Sequence, residues 1–554
     1  MIKSAINMLK TAALAGALLS APAGCQLLPH DEPDTGRWLT GDFHNHTLLT
    51  DGSHTPAEVF VHGFRFGLDW IANSEHGGAF GRNPEGQPWP VDTVRLGAPP
   101  GGMMWRWQSL RDHSFPIAAR TRAFFPDKLI ILGYEWNVPA HDHASVAVVG
   151  PEEDGGVAIA RHEYLFDRDD TGAAAGDILG VAGKSTENSH ARAVAGVRWL
   201  AANYPGRSYF LINHPSRQLQ YSIAAIRDFN NAAPDVAFGF EGMPGHQKLA
   251  DRGGYNGGPF RDAAGLDVTG RARTYGGADF MLAEIGGPWD ALLGEGRRFF
   301  TFVNSDFHNP AYDFWPGEYA KIHTLVPDSN RDGRYGPEEL LAGLRSGNSF
   351  IAHGGLIDGL HLSAQCRQHK TVWDFLPQRQ PETAEMGGTL VASADCDLQL
   401  IIRFRTPVAN NGKAAATVDH IDLIEGMVRP KAAKYLADGA TPNPEYDNDR
   451  NDTARVAATF TGKDWKQDAG ERKGKDGDKD QGGDGWRTIV YNAGRLERDM
   501  YFRLRGTNLG CGVADETDGQ CNPLRDDLMA PNTADKAYGD LWFYSNPVFV
   551  RVRN

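Results

Sequence analysis

Cysteine is scarce in this sequence, with five in 554 residues, and no apolar run is long enough for a stable membrane-spanning helix. So few thiols exclude a dense disulfide scaffold, and none lies near the histidine clusters. Positive charge is also short, with 56 Lys and Arg against 70 Asp and Glu and a formal charge of −14. That balance argues against coating nucleic acid or adhering to anionic membranes. It leaves an anionic substrate open, because bound metal ions reverse the local sign. Aromatic residues are not lacking: at 10% they exclude a wholly disordered chain, and the length suits two domains.

The first residues read as a targeting segment. Lys3 and Lys10 precede or flank a short apolar core, Thr11 to Ser20, and Ala21-Pro22-Ala23 supplies a small-x-small cleavage pattern. Residues 1–23 are expected to be a signal peptide, so the chain would be exported to a periplasm or secreted. Ala23-Gly24-Cys25 resembles the end of a lipobox, although Pro22 stands where such boxes carry Leu. Membrane contact is expected only through a lipid on Cys25. Export makes the remaining Cys366, Cys396, Cys511 and Cys521 candidates for two disulfides. Neighbourhood favours Cys366 with Cys396 and Cys511 with Cys521, out of three pairings.

What is abundant is histidine and carboxylate at the ends of apolar runs. Asp42-Phe43-His44-Asn45-His46 follows Trp38 and Leu39, and Asp51 follows in a Thr-Asp-Gly turn. If the run is a strand, His44 and His46 share a face. Later runs end in Ser74-Glu75-His76, Tyr134-Glu135-Trp136, Asn213-His214-Pro215 and Ser305-Asp306-Phe307-His308, and His141-Asp142-His143 precedes another. Between them lie helix patterns near 189–202, 222–230 and 289–295. Strand–helix alternation predicts a mainly parallel sheet or barrel, with chemistry at the strand ends. Imidazole with carboxylate suits zinc, manganese or iron.

This order of motifs resembles the PHP (polymerase and histidinol phosphatase) family of metal-dependent phosphoesterases, over roughly residues 40–354. The resemblance implies a distorted (β/α)7 barrel, over 36–357, holding two or three divalent ions. It implies that His44, His46, Glu135 and Asp306 hold one metal, that Asp51, His76 and His308 hold a second, and that His143 and His214 hold a third with Glu135 bridging. His143 is taken over His141 because it directly precedes the strand, as in the family. Glu75 stands where many members carry Asp and is expected to orient an imidazole.

Such a cluster would activate a bridging water and clamp both oxygens of an in-line displacement. With no Cys nucleophile, complete P-loop or Gly-x-Ser-x-Gly elbow in this region, a metal hydroxide is the expected nucleophile. The expected substrate is a small phosphoester, a diester ahead of a monoester. Trp89, Trp105 and Trp107 would wall the diester's organic groups, or else pack a small subdomain. His246, Arg252 and Arg217 are candidates to meet the phosphate or protonate the leaving group. The rivals are hydrolysis of an amide or carboxylic ester, and a noncatalytic binding module.

Asp328, Asn330, Asp332, Gly333 and Glu339 match an EF-hand loop. They would hold a structural Ca²⁺, or else form an Asx-rich turn capping the helix that follows. From 358 to 554 short strand patterns predict a β-sandwich, with a charged, Gly-rich mobile loop at 462–485.

Overall fold

The apolar runs become strands whose ends meet over one pocket. The computed structural model describes residues 36–91, 99, 101–150, 152–367, 383–393, 395–413, 416–467, 485–526 and 534–553. The segment expected to be a signal peptide, with Cys25, lies outside them, as does most of the expected 462–485 loop.

The first half contributes β1 (Arg37–Asp42), α1 (Pro56–Arg65), β2 (Trp70–Asn73), α2 (Phe115–Phe124), β3 (Leu129–Asn137) and β4 (His143–Val148). These are followed by α3 (Glu152–Phe166), α4 (His190–Asn203), β5 (Ser208–Ile212), α5 (Ile223–Ala232), β6 (Ala237–Met243), α6 (Pro288–Leu293) and β7 (Phe300–Val303). Then come β8 (Ala320–Val326), α7 (Pro337–Ser346) and β9 (Ser349–His353). Helix starts follow their local chemistry. Thr55 caps α1 in a reciprocal capping box with Glu58, and Ser189 and Ser222 cap α4 and α5.

The strands form a mixed sheet in the order β7-β6-β5-β4-β3-β2-β1-β8-β9. The expected mainly parallel sheet is corrected here. β1–β2–β3 and β5–β6–β7 are parallel, but β4 runs antiparallel to both β3 and β5, and β8 runs antiparallel to β1 and β9. The reason is the short Val138–Asp142 turn, too brief for a helical crossover. The row also curls. A parallel bridge joins Asn45, just past β1, to Phe307, just past β7, and Phe43 N donates to Asn304 Oδ1 at 3.1 Å.

β10 (Gly359–Cys366), β11 (Thr383–Glu385), β12 (Thr389–Ser393), β13 (Asp397–Arg405), β14 (His420–Met427), β15 (Arg455–Thr461) and β16 (Lys466–Gln467) follow, then β17 (Trp486–Arg495), β18 (Met500–Thr507), β19 (Trp542–Ser545) and β20 (Val548–Arg553). β9 pairs with β19, so the first sheet continues through β19-β18-β14-β15, with β20 paired to β18 and β12 to β20. A second sheet, β11-β10-β13-β17-β16, turns Leu360, Leu362, Leu400 and Ile402 into the same buried core. The disulfides are Cys366–Cys396 and Cys511–Cys521. No helix among the described residues is long and apolar enough to cross a membrane.

Candidate metal centre

The β1 end sets the geometry. Asn45 turns away, its Nδ2 donating to Ala72 O at 2.7 Å, while His46 N donates to Phe307 O at 2.8 Å. His44 and His46 are left on the opposite side with their Nε2 atoms 3.2 Å apart. Glu135 lies within β3 rather than beyond it, because the Tyr134-Glu135-Trp136 run continues the strand against β4.

The Glu135 carboxylate is the hub. Its Oε1 lies 3.0 Å from His44 Nε2, 3.1 Å from His143 Nδ1 and 3.3 Å from His214 Nε2. Its Oε2 lies 2.7 Å from His76 Nδ1 and 3.5 Å from His46 Nε2. Asp306 Oδ1 faces His44 Nε2 at 3.1 Å and His46 Nε2 at 3.2 Å. Asp51 Oδ2 sits 3.3 Å from His76 Nε2 and 3.4 Å from His308 Nε2. The structure thus brings all nine sequence-predicted ligands together, in overlapping groups.

The donor atoms fit divalent ions. His46 Nδ1, Glu135 Oε2, Asp142 Oδ2, His143 Nδ1, His214 Nδ1 and Asp306 Oδ1 are buried and make no hydrogen bond. A buried polar atom left so costs about 1–3 kcal/mol, and crowded lone pairs are what a cation satisfies. Burial alone would raise the Glu135 carboxyl, yet His143, His44 and His76 hold it well below the usual range. Asp306 is likewise lifted by burial but drawn well below by His44 and His246. Burial, with His308 and His76 alongside, pushes His46 down to about 3, so it stays neutral with one ring nitrogen free to ligate. The carboxylates are therefore ionised and His46 is ready to bind, as metal ligation requires.

The supporting residues are mostly ones that the sequence did not reveal. Asp42 Oδ1 accepts His44 N and its Oδ2 accepts Ser305 N, each at 2.9 Å, tying the β1 and β7 ends. Buried Glu241 in β6 meets His44 Nδ1 at 3.4 Å and accepts His214 N at 2.8 Å. Asp142 Oδ2 lies 3.4 Å from His214 Nδ1, and Asp142, His143 and His214 form a ligand group of their own. His141 points elsewhere, pairing with Gln220 O and His190. The signals for Asp142 and Asp42 were local, since each lies within two residues of a ligand. Glu241 carried none, because its partners come from other strands.

Some expectations are corrected. Glu75 meets no imidazole; both its oxygens are taken by the hydroxyls of Thr47 and Thr50, so it braces the turn leading to Asp51. Arg252 is not brought to the centre. Its guanidinium is bound to Asp540 near β19, to Gln247 Oε1 at 3.0 Å and to Tyr319 OH at 3.3 Å. Trp89, Trp105 and Trp107 are buried: Trp89 clusters with Leu49 and Met104, while Trp105 and Trp107 join the main core. Phe80 and Tyr312 come nearer, their rings 6.2 Å from His76 and 6.3 Å from His246. His246 is brought in, with Nε2 3.1 Å from Asp306 Oδ2 and Nδ1 2.6 Å from Asp313 Oδ1. Arg217 stands behind the third group, Nη2 donating to Asp142 Oδ1 at 3.2 Å.

In the EF-hand-like loop, Asp328 accepts the amides of Asp332 and Gly333, and Glu339 accepts those of Ser329 and Gly336. Its carboxylates are not among the groups gathered to ligand distance.

No family model and no curated protein sequence matches the chain. Among solved structures it is similar to a two-domain protein from Bacteroides vulgatus ATCC 8482 containing a predicted PHP-like metal-dependent phosphoesterase. The identity is 12% and the TM-score 0.29, covering 89% of this chain and 95% of that one. It is also similar to an amidohydrolase from Chromobacterium violaceum with bound sulfate, at 15% identity and TM-score 0.22, covering 50% and 89%. At these scores the functional reading rests on the ligand geometry.

Proposed function

We propose that this chain is an exported metal-dependent hydrolase of small phosphoesters, built as a distorted (β/α)7 barrel of PHP type with a C-terminal β-sandwich. The gathering of nine histidine and carboxylate side chains with Glu135 at the hub, and buried ligand atoms that make no hydrogen bond, carry the reading. Two or three Mn²⁺, Zn²⁺ or Fe²⁺ ions suit this nitrogen–oxygen set. Bound there, they would acidify a water and neutralise phosphoryl oxygens.

The protein's own part is to place and shield. His44, His46, Glu135 and Asp306 would hold the first ion; Asp51, His76 and His308 the second; His143 and His214 the third, with Asp142 as an added carboxylate. Arg217 and His246 lie against ligands of the centre and are the side chains suited to meet an anionic substrate. A diester is favoured because Phe80 and Tyr312 offer rings beside His76 and His246, one for each organic group.

Metal analysis of the purified protein, with turnover of p-nitrophenyl phosphate, alkyl p-nitrophenyl phosphate diesters and acyl esters, tests this. Bound divalent ions with metal-dependent release from the diesters are expected. Turnover of acyl esters alone would overturn the phosphoester assignment.

A further inference from the structure

We infer that Glu241 is a positioning residue that serves the first and third metal groups but not the second. The inference rests on the metal-centre reading above and concerns a carboxylate outside the nine ligands.

Glu241 lies in β6 and is fully buried. Its Oε2 accepts His214 N at 2.8 Å, at a residue whose backbone is held at φ 30°. Its Oε1 meets His44 Nδ1 at 3.4 Å and Asn304 Nδ2 at 3.3 Å, while Asn304 Oδ1 accepts Phe43 N. One side chain therefore joins the ends of β1, β5 and β7, which carry His44, His214 and Asp306.

Two observations point to more than scaffolding. A buried charge is normally paired, yet among the described residues no Lys or Arg forms an ion pair with Glu241; its one ionisable partner is His44. The contact also falls on Nδ1 of His44, while Nε2 faces Glu135 and Asp306. A carboxylate at Nδ1 fixes the tautomer that leaves Nε2 free to ligate and raises its donor strength. None of the contacts of Glu241 reaches Asp51, His76 or His308; the turn bearing Asp51 is braced by Glu75 instead.

The test titrates metal-free wild type and Glu241→Gln with Zn²⁺ alone and follows bound ions. His44→Ala and His76→Ala serve as markers of which ion class belongs to which group. Thermal unfolding of the metal-free chains checks the fold. In Glu241→Gln the class lost in His44→Ala is expected to bind about 10–100-fold more weakly, while the class lost in His76→Ala keeps its wild-type affinity. If the glutamine variant does not fold, Glu241→Asp, whose carboxylate is one methylene short of His44, is expected to show the same selectivity. Unchanged affinity for both classes, or equal weakening of both, would overturn the inference. Wild type that binds no Zn²⁺ would sink the metal-centre reading itself.

Discussion

Three non-glycine residues at the centre, His214, His246 and Asp306, hold left-handed backbone at φ 30°, 54° and 41°. Such conformations cost about 1–3 kcal/mol each and persist where surrounding contacts impose them. Asp306 is the sharpest test, because its Oδ1 faces both His44 and His46. Asparagine keeps its shape and tolerates left-handed backbone, so Asp306→Asn removes charge and little else. Turnover is expected to fall at least about 100-fold with loss of bound metal, while the unfolding midpoint of the metal-free variant stays near that of metal-free wild type. Arg252 predicts the opposite pattern. Replacing it with Ala leaves Asp540 buried without its cation, a change that costs about 3–5 kcal/mol. Urea denaturation should show that loss, while the protein that remains folded keeps its kcat/KM. A selective loss of kcat would return Arg252 to the chemistry.

At the scale of elements, strand ends do the positioning, and they were the most legible part of the sequence. The alternation of His44 and His46 placed both on one face, and each later cluster falls where an apolar run gives out. Less legible was where strands stop. Glu135 lies inside β3 and Glu241 inside β6, because pairing with β4 and β7 respectively extends both beyond their apolar runs. The antiparallel β4 was hidden for a related reason: a five-residue turn leaves little trace beside two apolar runs. The loops after β6 and β7 touch at Gly245, where an added Cβ would collide with the Ser305 carbonyl oxygen and with Asp306 Cβ. Gly245→Ala should therefore push His246 away from Asp306, lowering kcat and costing about 1–3 kcal/mol. A variant with wild-type turnover would show that this close approach is dispensable.

Across the whole molecule, the least legible feature is the pairing of β9 with β19. Residues 350–352 meet residues 543–545, and so distant a match leaves no local pattern. It carries the first sheet into the C-terminal strands and brings Asp540 to Arg252. Acid stability is also set at this scale. Burial pushes His162 and His323 each down to about 3. The first pairs with Tyr134 OH at 2.9 Å and the second stacks on Phe350 at 4.4 Å. Below about pH 6.5 the unfolded chain takes up protons that the folded one refuses, so stability is full above that pH and drains as pH falls toward 3. At pH 5 each residue accounts for about 2 kcal/mol of loss. His323→Phe, which keeps the stack, should make the fall between pH 7.5 and pH 5 smaller by about that amount in urea titrations. An unchanged slope would show that His323 titrates freely.

The central claim is that strand ends from across the sheet gather a site for several divalent cations and that these ions carry the chemistry. Its most direct measurement is the divalent metal content of the purified, folded chain, read together with phosphoester turnover before and after chelation. Two to three ions per chain are expected, with turnover lost on chelation and restored by adding the ions back. Folded protein that binds no divalent ion, or that turns over phosphoester equally well without one, would contradict the account.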